Sequence, residues 1–148
     1  MSVSIGMVID RVTFDVERGK IREFAIATFA SDAIHTDPEV ASSAGYTDVL
    51  ATATHVVVAG HQRNPREFLH VLGLEHSRVV VGSVSWEYER PLVAGDTLEG
   101  TRRVASDEIT EGRRGNSMRL VTLETEFKDD HGRIAVTQRE VLIERGRA

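Results

Sequence analysis

The chain has 148 residues, 41% hydrophobic and 28% charged, the balance of an ordinary globular domain large enough to bury a core of its own. A formal net charge of −5 argues against a nucleic-acid or anionic-membrane partner, and the absence of cysteine excludes disulfides, thiol catalysis and cysteine-held metal. No apolar run reaches membrane-spanning length and Met1-Ser2-Val3-Ser4 carries no signal-peptide pattern, so a single domain over residues 1–148 with a cytoplasmic location is expected.

Val12-Thr13-Phe14-Asp15 reads as a short strand or extended lead-in. Between Glu17 and Phe29 the apolar residues Ile21, Phe24 and Ala25 recur at helical spacing, which predicts a helix with one buried face. Asp37-Pro38 opens a second helix, with aspartate as N-cap and proline at the first helical position, and Gly45 is placed to end it. The run from Thr54 to His61, with Val56, Val57, Val58 and Ala59, is apolar on most sides and fits either a buried strand or a buried central helix. Arg63-Asn64-Pro65 interrupts it, and a further helix follows with Phe68, Leu69 and Leu72 inward and Gly73 at its end.

The second half alternates. Val84, Trp86 and Tyr88 fall on one face of a strand within Arg78–Arg90, Thr97–Val104 and Met118–Phe127 read as two more, and Ile134–Ile143 closes the set after a hairpin turn at Asp129-Asp130-His131-Gly132. Helices first and long antiparallel strands afterwards indicate an α+β fold. The paired arginines Arg102-Arg103 and Arg113-Arg114 form local basic patches that would suit a phosphorylated carrier at a site mouth, although solvated surface charge is the commoner role for such residues. No His/Asp/Glu cluster has metal-ligand spacing; His55 and His61, six apart, do not share a helical face, so neither a metal nor another cofactor is expected.

Two segments carry a resemblance. Ala30-Ser31-Asp32-Ala33-Ile34-His35-Thr36-Asp37-Pro38-Glu39, followed by small residues to Gly45-Tyr46, resembles the active-site loop of the MaoC-like dehydratases and (R)-specific enoyl-CoA hydratases. Arg90-Pro91-Leu92-Val93-Ala94-Gly95-Asp96-Thr97-Leu98 is similar to that family's strand-turn-strand signature. The likeness spans residues 12–145 and is nearest to the N-terminal, accessory type of domain. It implies a hotdog fold, in which a curved antiparallel sheet wraps a long central helix. It also implies a reversible hydration of trans-2-enoyl-CoA or acyl-carrier-protein thioesters, within a homodimer or a heterodimer of hotdog chains.

Such a hydration needs a base for water, an acid for the α-carbon and donors for the thioester oxygen. The resemblance puts His35 on the family's histidine, Asp32 on its asparagine and Ala30 on its catalytic aspartate, so Asp32 and Asp37 are the nearby carboxylates that could stand in. Asp37 is better placed as a helix cap. It further implies that Ala51, Thr52, Ala53 and Thr54 line the substrate approach, with Ala53 where catalytic members have glycine. Two functions follow: a hydratase using His35 and Asp32, or a non-catalytic subunit that binds the acyl chain beside a catalytic partner. A thioesterase is disfavoured, because Ala51–Arg63 contains no carboxylate.

Overall fold

The computed structural model describes residues 3–146. Its strands are β1 (Val8–Asp15), β2 (Val79–Tyr88), β3 (Thr97–Glu111), β4 (Ser117–Lys128) and β5 (Ile134–Arg145), and its α-helices are α1 (Arg18–Ala27), α2 (Pro38–Ser43) and α3 (Pro65–Leu72). The strands form one antiparallel sheet in the order β1-β3-β4-β5-β2, which leaves β1 and β2 as its edges. The helical segments occupy the connection from β1 to β2.

Local chemistry accounts for the helix ends. Asp37 accepts from the Glu39 N–H ahead of α2, Asn64 accepts from the Arg66 N–H ahead of α3, and each helix has proline in its first turn. Gly73 stops α3 in a left-handed conformation at φ 66°. The end of α1 departs from this pattern. There Phe29 adopts φ 58°, and Ala30 N–H closes back on the Ala25 carbonyl at 2.8 Å.

The valine-rich run is neither a strand nor part of one long helix. His55–Gln62 winds as a 3₁₀ helix, and α3 begins separately after Arg63 and Asn64. Three consecutive β-branched valines and Gly60 weaken an α-helix, and Pro65 disfavours helical geometry in the residue before it. The sheet is therefore covered by two short helical pieces.

Strand alternation sets the core. On β4 the side chains of Val121, Leu123, Thr125 and Phe127 are buried, and Phe127 stands opposite Val136 of β5. Gly100 on β3 makes room for Phe127: a Cβ there would lie 2.7 Å from the ring. One apolar cluster gathers Phe14, Ile21, Val56, Leu92, Leu98 and Phe127, and a second gathers Leu69, Leu72, Leu74, Val104, Val121, Leu123 and Leu142.

A polar band crosses the same face of the sheet. Arg102, 2% exposed, pairs with Asp10 and, at 2.7 Å, with Glu140. Its guanidinium lies 4.2 Å from the centre of the Phe68 ring. Arg63 joins Asp10 at 3.2 Å, and Trp86 Nε1 donates to Gln138 at 2.9 Å. Charges this deep persist because each is paired.

Candidate functional site

The site is assembled from three loops that share backbone hydrogen bonds. Val49, Leu50 and Ala51 run against Leu92, Val93 and Ala94: Ala51 N–H donates to the Leu92 carbonyl at 2.8 Å and Ala94 N–H to the Val49 carbonyl at 3.0 Å, around a bridge between Leu50 and Val93. The turn leading to Thr97 is closed by Arg90, whose guanidinium donates to both carboxylate oxygens of Asp96 at 2.8 and 3.3 Å. Asp96 also accepts from Val93 N–H at 3.0 Å, and Gly95 supplies the left-handed φ of 97°. The Arg-Pro-x-x-x-Gly-Asp signature is thus a clamp on this turn, with the arginine and the aspartate as its jaws.

Onto this frame the loop after α1 is pinned at one residue. Leu50 N–H donates to the Ile34 carbonyl at 3.0 Å, and the Leu50 carbonyl accepts from His35 Nδ1 at 2.6 Å. A carbonyl can only accept, so Nδ1 carries the proton and the neutral imidazole has its free lone pair on Nε2. His35 lines a cavity of about 380 Å³ together with Leu50, Ala51, Thr52, Ala53 and the segment Tyr88–Leu92. The N–H groups of Thr52, Ala53 and Thr54 make no hydrogen bond among the described residues, at the start of the 3₁₀ helix.

The sequence candidates separate in this geometry. His35, Ala51, Thr52 and Ala53 come together on the cavity wall. Thr54 caps the 3₁₀ helix through its backbone, outside that wall. Asp32 is exposed, and its carboxylate accepts from Ile34 N–H at 3.0 Å as the cap of the turn Ala33–His35, while Asp37 caps α2. Neither lines the cavity. The carboxylate that does is Glu89, exposed at the rim.

Tyr88, which alternation puts on one strand face with Val84 and Trp86, also lines the cavity. Its hydroxyl donates to the Ala53 carbonyl, and burial pushes its phenol up to about 12, so it stays protonated. The signal was its position: the last alternating aromatic before Glu89-Arg90-Pro91 lies at the strand's end, where the sheet opens onto the loops. Behind the cavity, His55 is fully buried between Phe14 and Phe24, with ring centroids 5.8 and 5.5 Å away, and neither ring nitrogen is hydrogen-bonded among the described residues. Burial, with a smaller contribution from Lys20, pushes it down to about 4.

The basic pairs do not sit at this mouth. Arg102 faces the core, and Arg113-Arg114 lie at the β3–β4 hairpin, the opposite end of the sheet. Asp129, Asp130 and His131 bring three ligand atoms within 4.8 Å of one another at the β4–β5 turn. Asp129 already accepts there from the N–H groups of His131 and Arg133, so the cluster is the hairpin's own Asx turn. No helix among the described residues is long and apolar enough to cross a membrane.

A family model for the FAS1-like dehydratase domain region matches residues 3–138. The chain belongs to the MaoC-like hotdog dehydratase family. Within that family it is 40% identical, over 132 residues, to a UPF0336 protein of Clavibacter michiganensis subsp. michiganensis, covering 88% of this chain and 85% of that relative. A solved MaoC-like dehydratase superposes with a TM-score of 0.79 at 27% identity, covering 96% of this chain but 42% of that longer one. A chain of the C-terminally truncated HadBC (3R-hydroxyacyl-ACP dehydratase) complex from Mycobacterium tuberculosis superposes with a TM-score of 0.78 at 23% identity, covering 97% of this chain and 99% of that one. The hotdog architecture expected from the two signature segments is therefore the observed one, with the covering helix in two short pieces.

Proposed function

We propose that this chain is a subunit of an acyl-thioester hydratase or dehydratase, pairing its β2 edge with a second hotdog chain that carries a complete carboxylate–imidazole pair. The observation that carries this reading is the state of the carboxylates around His35. Ala30 stands at the family's aspartate position, and Asp32 is exposed and committed to a cap. Neither Asp32 nor Asp37 lines the cavity beside His35.

The edge strand supports a partner. β2 offers Val80, Val81 and Val84 to solvent at 39%, 61% and 36%, beside Val57 at 48%. An unpaired apolar edge of this kind is satisfied by another chain. The HadBC structure is itself a complex of two named components, which is the arrangement we infer here.

In the complete reaction, water adds across a trans-2-enoyl thioester. An imidazole takes a proton from water as its oxygen bonds to the β-carbon, an acid delivers a proton to the α-carbon, and N–H donors hold the oxygen of the enolate between these steps. Here His35 and the free N–H groups of Thr52 and Ala53 are suited to hold a thioester in the cavity. A second reading, a self-sufficient hydratase, is favoured by one observation: His35 is already fixed in the tautomer of a base.

Hydration of crotonyl-CoA by the purified chain separates the two. The subunit reading expects a rate near background that His35→Ala and Asp32→Ala leave unchanged. Substantial hydration that vanishes in both variants would establish a self-sufficient Asp32–His35 pair.

A further inference from the structure

The β3–β4 hairpin at the far end of the sheet forms a second cleft. Gly112 N–H donates to the Asn116 carbonyl at 2.7 Å and Gly115 takes φ 76°, which turns Arg113 and Arg114 outward. These two arginines and Arg145 of β5 line a cleft of about 200 Å³ that also includes Met118 and Gly112. All three are exposed, and none is ion-paired among the described residues. Two carboxylates of the adjoining strand ends, Asp107 and Glu144, are already held by Arg119 and Arg78. Glu111 is the one acidic residue between positions 111 and 118, so the hairpin is net positive.

The mouth of the His35 cavity is the opposite. Glu89 lies at its rim, and Arg90 is neutralised by Asp96 and Asp129. Among the described residues lining it, the phosphates of a thioester carrier would find no free cation.

We propose that the Arg113–Arg114–Arg145 cleft binds the phosphorylated nucleotide of a coenzyme A thioester whose acyl end sits in the cavity of the chain paired on the β2 edge. This rests on the acyl-thioester and β2-pairing reading above. Two sheets joined at β2 with their covered faces on the same side are related by an axis normal to the sheet, and such an axis makes the two β2 strands antiparallel. Tyr88, beside the cavity, ends β2 on one side; Val79 begins it on the other and is in register with Glu144, Arg119 and Ile109 across β5, β4 and β3. Antiparallel pairing sets the Tyr88 end of the partner against this Val79 end. The hairpin arginines lie just past that row, about four strands or ~20 Å away at the usual spacing. Within one chain the separation is far larger, since β3 alone runs 15 residues, about 50 Å of extended backbone.

The chemistry fits the nucleotide. Guanidinium forks match phosphate oxygens, and the polarisable Met118 beside a residue without a side chain, Gly112, leaves a soft surface for a flat base. A carrier protein would need a broad docking face and would leave such a cleft empty.

In the purified chain, without the catalytic partner, the same β2 edge pairs two copies, and the test is their binding, measured by calorimetry, of crotonyl-CoA and of crotonyl-pantetheine, which lacks the nucleotide. The double variant Arg113→Glu/Arg114→Glu, and separately Arg145→Glu, should weaken crotonyl-CoA at least about tenfold, as expected for losing two exposed ion pairs and adding repulsion, and leave crotonyl-pantetheine unchanged. Mixing the double variant with a cavity-blocked Ala53→Trp chain should restore tight crotonyl-CoA binding, because each mixed dimer then has one intact cavity facing one intact cleft. Unchanged crotonyl-CoA affinity in both hairpin variants, no rescue on mixing, weakening of acyl-carrier-protein binding alone, or tight binding by a chain that stays monomeric would each overturn the proposal. If the wild-type chain binds neither thioester, the acyl-thioester reading itself falls.

Discussion

His35 and Leu50 are locked together: His35 Nδ1 donates to the Leu50 carbonyl at 2.6 Å, while Leu50 N–H holds the Ile34 carbonyl at 3.0 Å. Since Leu50 is itself bridged to Val93, the imidazole is held by the same frame that carries the cavity wall. On the proposed reading, the base half of the pair is prepared in a loop whose acid half is missing.

Restoring the acid should therefore create activity. Ala30 is already anchored by its N–H to the Ala25 carbonyl at 2.8 Å, five residues ahead of His35. Ala30→Asp is expected to raise crotonyl-CoA hydration by roughly 10²-fold or more over the parent chain, the lower range for a positioned acid or base, and His35→Ala in that background should remove the gain. A double variant that keeps the rate would show that the new carboxylate works without His35.

Buried His55 makes stability depend on pH. Its folded value, about 4, lies below the ordinary 6.5, so as pH falls the unfolded chain takes up the proton first. Its neutral form costs nothing above about pH 6.5, and stability is lost progressively as pH falls from there toward 4. The full loss approaches ~3 kcal/mol at 1.36 kcal/mol per unit. Urea unfolding at pH 7 and pH 4.5 should show this loss in the parent and a smaller one in His55→Leu. Equal losses in both would mean that other groups dominate acid unfolding.

The polar band crossing the sheet has a measurable cost of disruption. Arg102→Ala leaves Glu140 without its cation and Asp10 with Arg63 alone, and removes the stack on Phe68. The expected loss is about 3–5 kcal/mol, the range for breaking a buried pair from one side. Replacing Arg102, Glu140, Asp10 and its second partner Arg63 together by apolar residues of similar volume should recover much of it, as read from denaturant midpoints at constant slope.

How much of this was legible beforehand differs by element. The cap at Asp37-Pro38 and the stop at Gly73 were readable, because they act within a few residues of chain; Asn64-Pro65 read only as a break, and its capping role shows in the structure. The strands were readable from alternation, although β3 continues to Glu111, well past Val104, since its outer half is too polar to show the period. The run His55–Gln62 was ambiguous because an apolar stretch without period is compatible with any buried element, and its 3₁₀ winding is decided by valine crowding and by the break before Pro65. Within the site, His35 and Ala51–Ala53 could be placed through the family likeness. Asp32 reads from the sequence as the relocated acid, because a short loop aspartate serves equally as cap or catalyst; in the structure its carboxylate is the cap, accepting from Ile34 N–H. Arg102 looked like a surface charge because its partners, Asp10 and Glu140, are 92 and 38 residues away.

Tyr88 links β2 to the cavity floor through its bond to the Ala53 carbonyl. That carbonyl belongs to the stretch whose free N–H groups face the start of the 3₁₀ helix, so the bond fixes the orientation of the peptides beside it. Tyr88→Phe removes one hydrogen bond and leaves the carbonyl of the exposed Ala53 to water. The expected loss of stability is about 1 kcal/mol, with a similar loss, roughly five- to tenfold, in affinity for crotonyl-pantetheine. Because burial keeps the phenol protonated to about 12, the parent's affinity should not change between pH 8 and about pH 10 on account of this group. A pH-dependent loss of affinity in that window that disappears in Tyr88→Phe would show an ionised phenol and sink this account of its role.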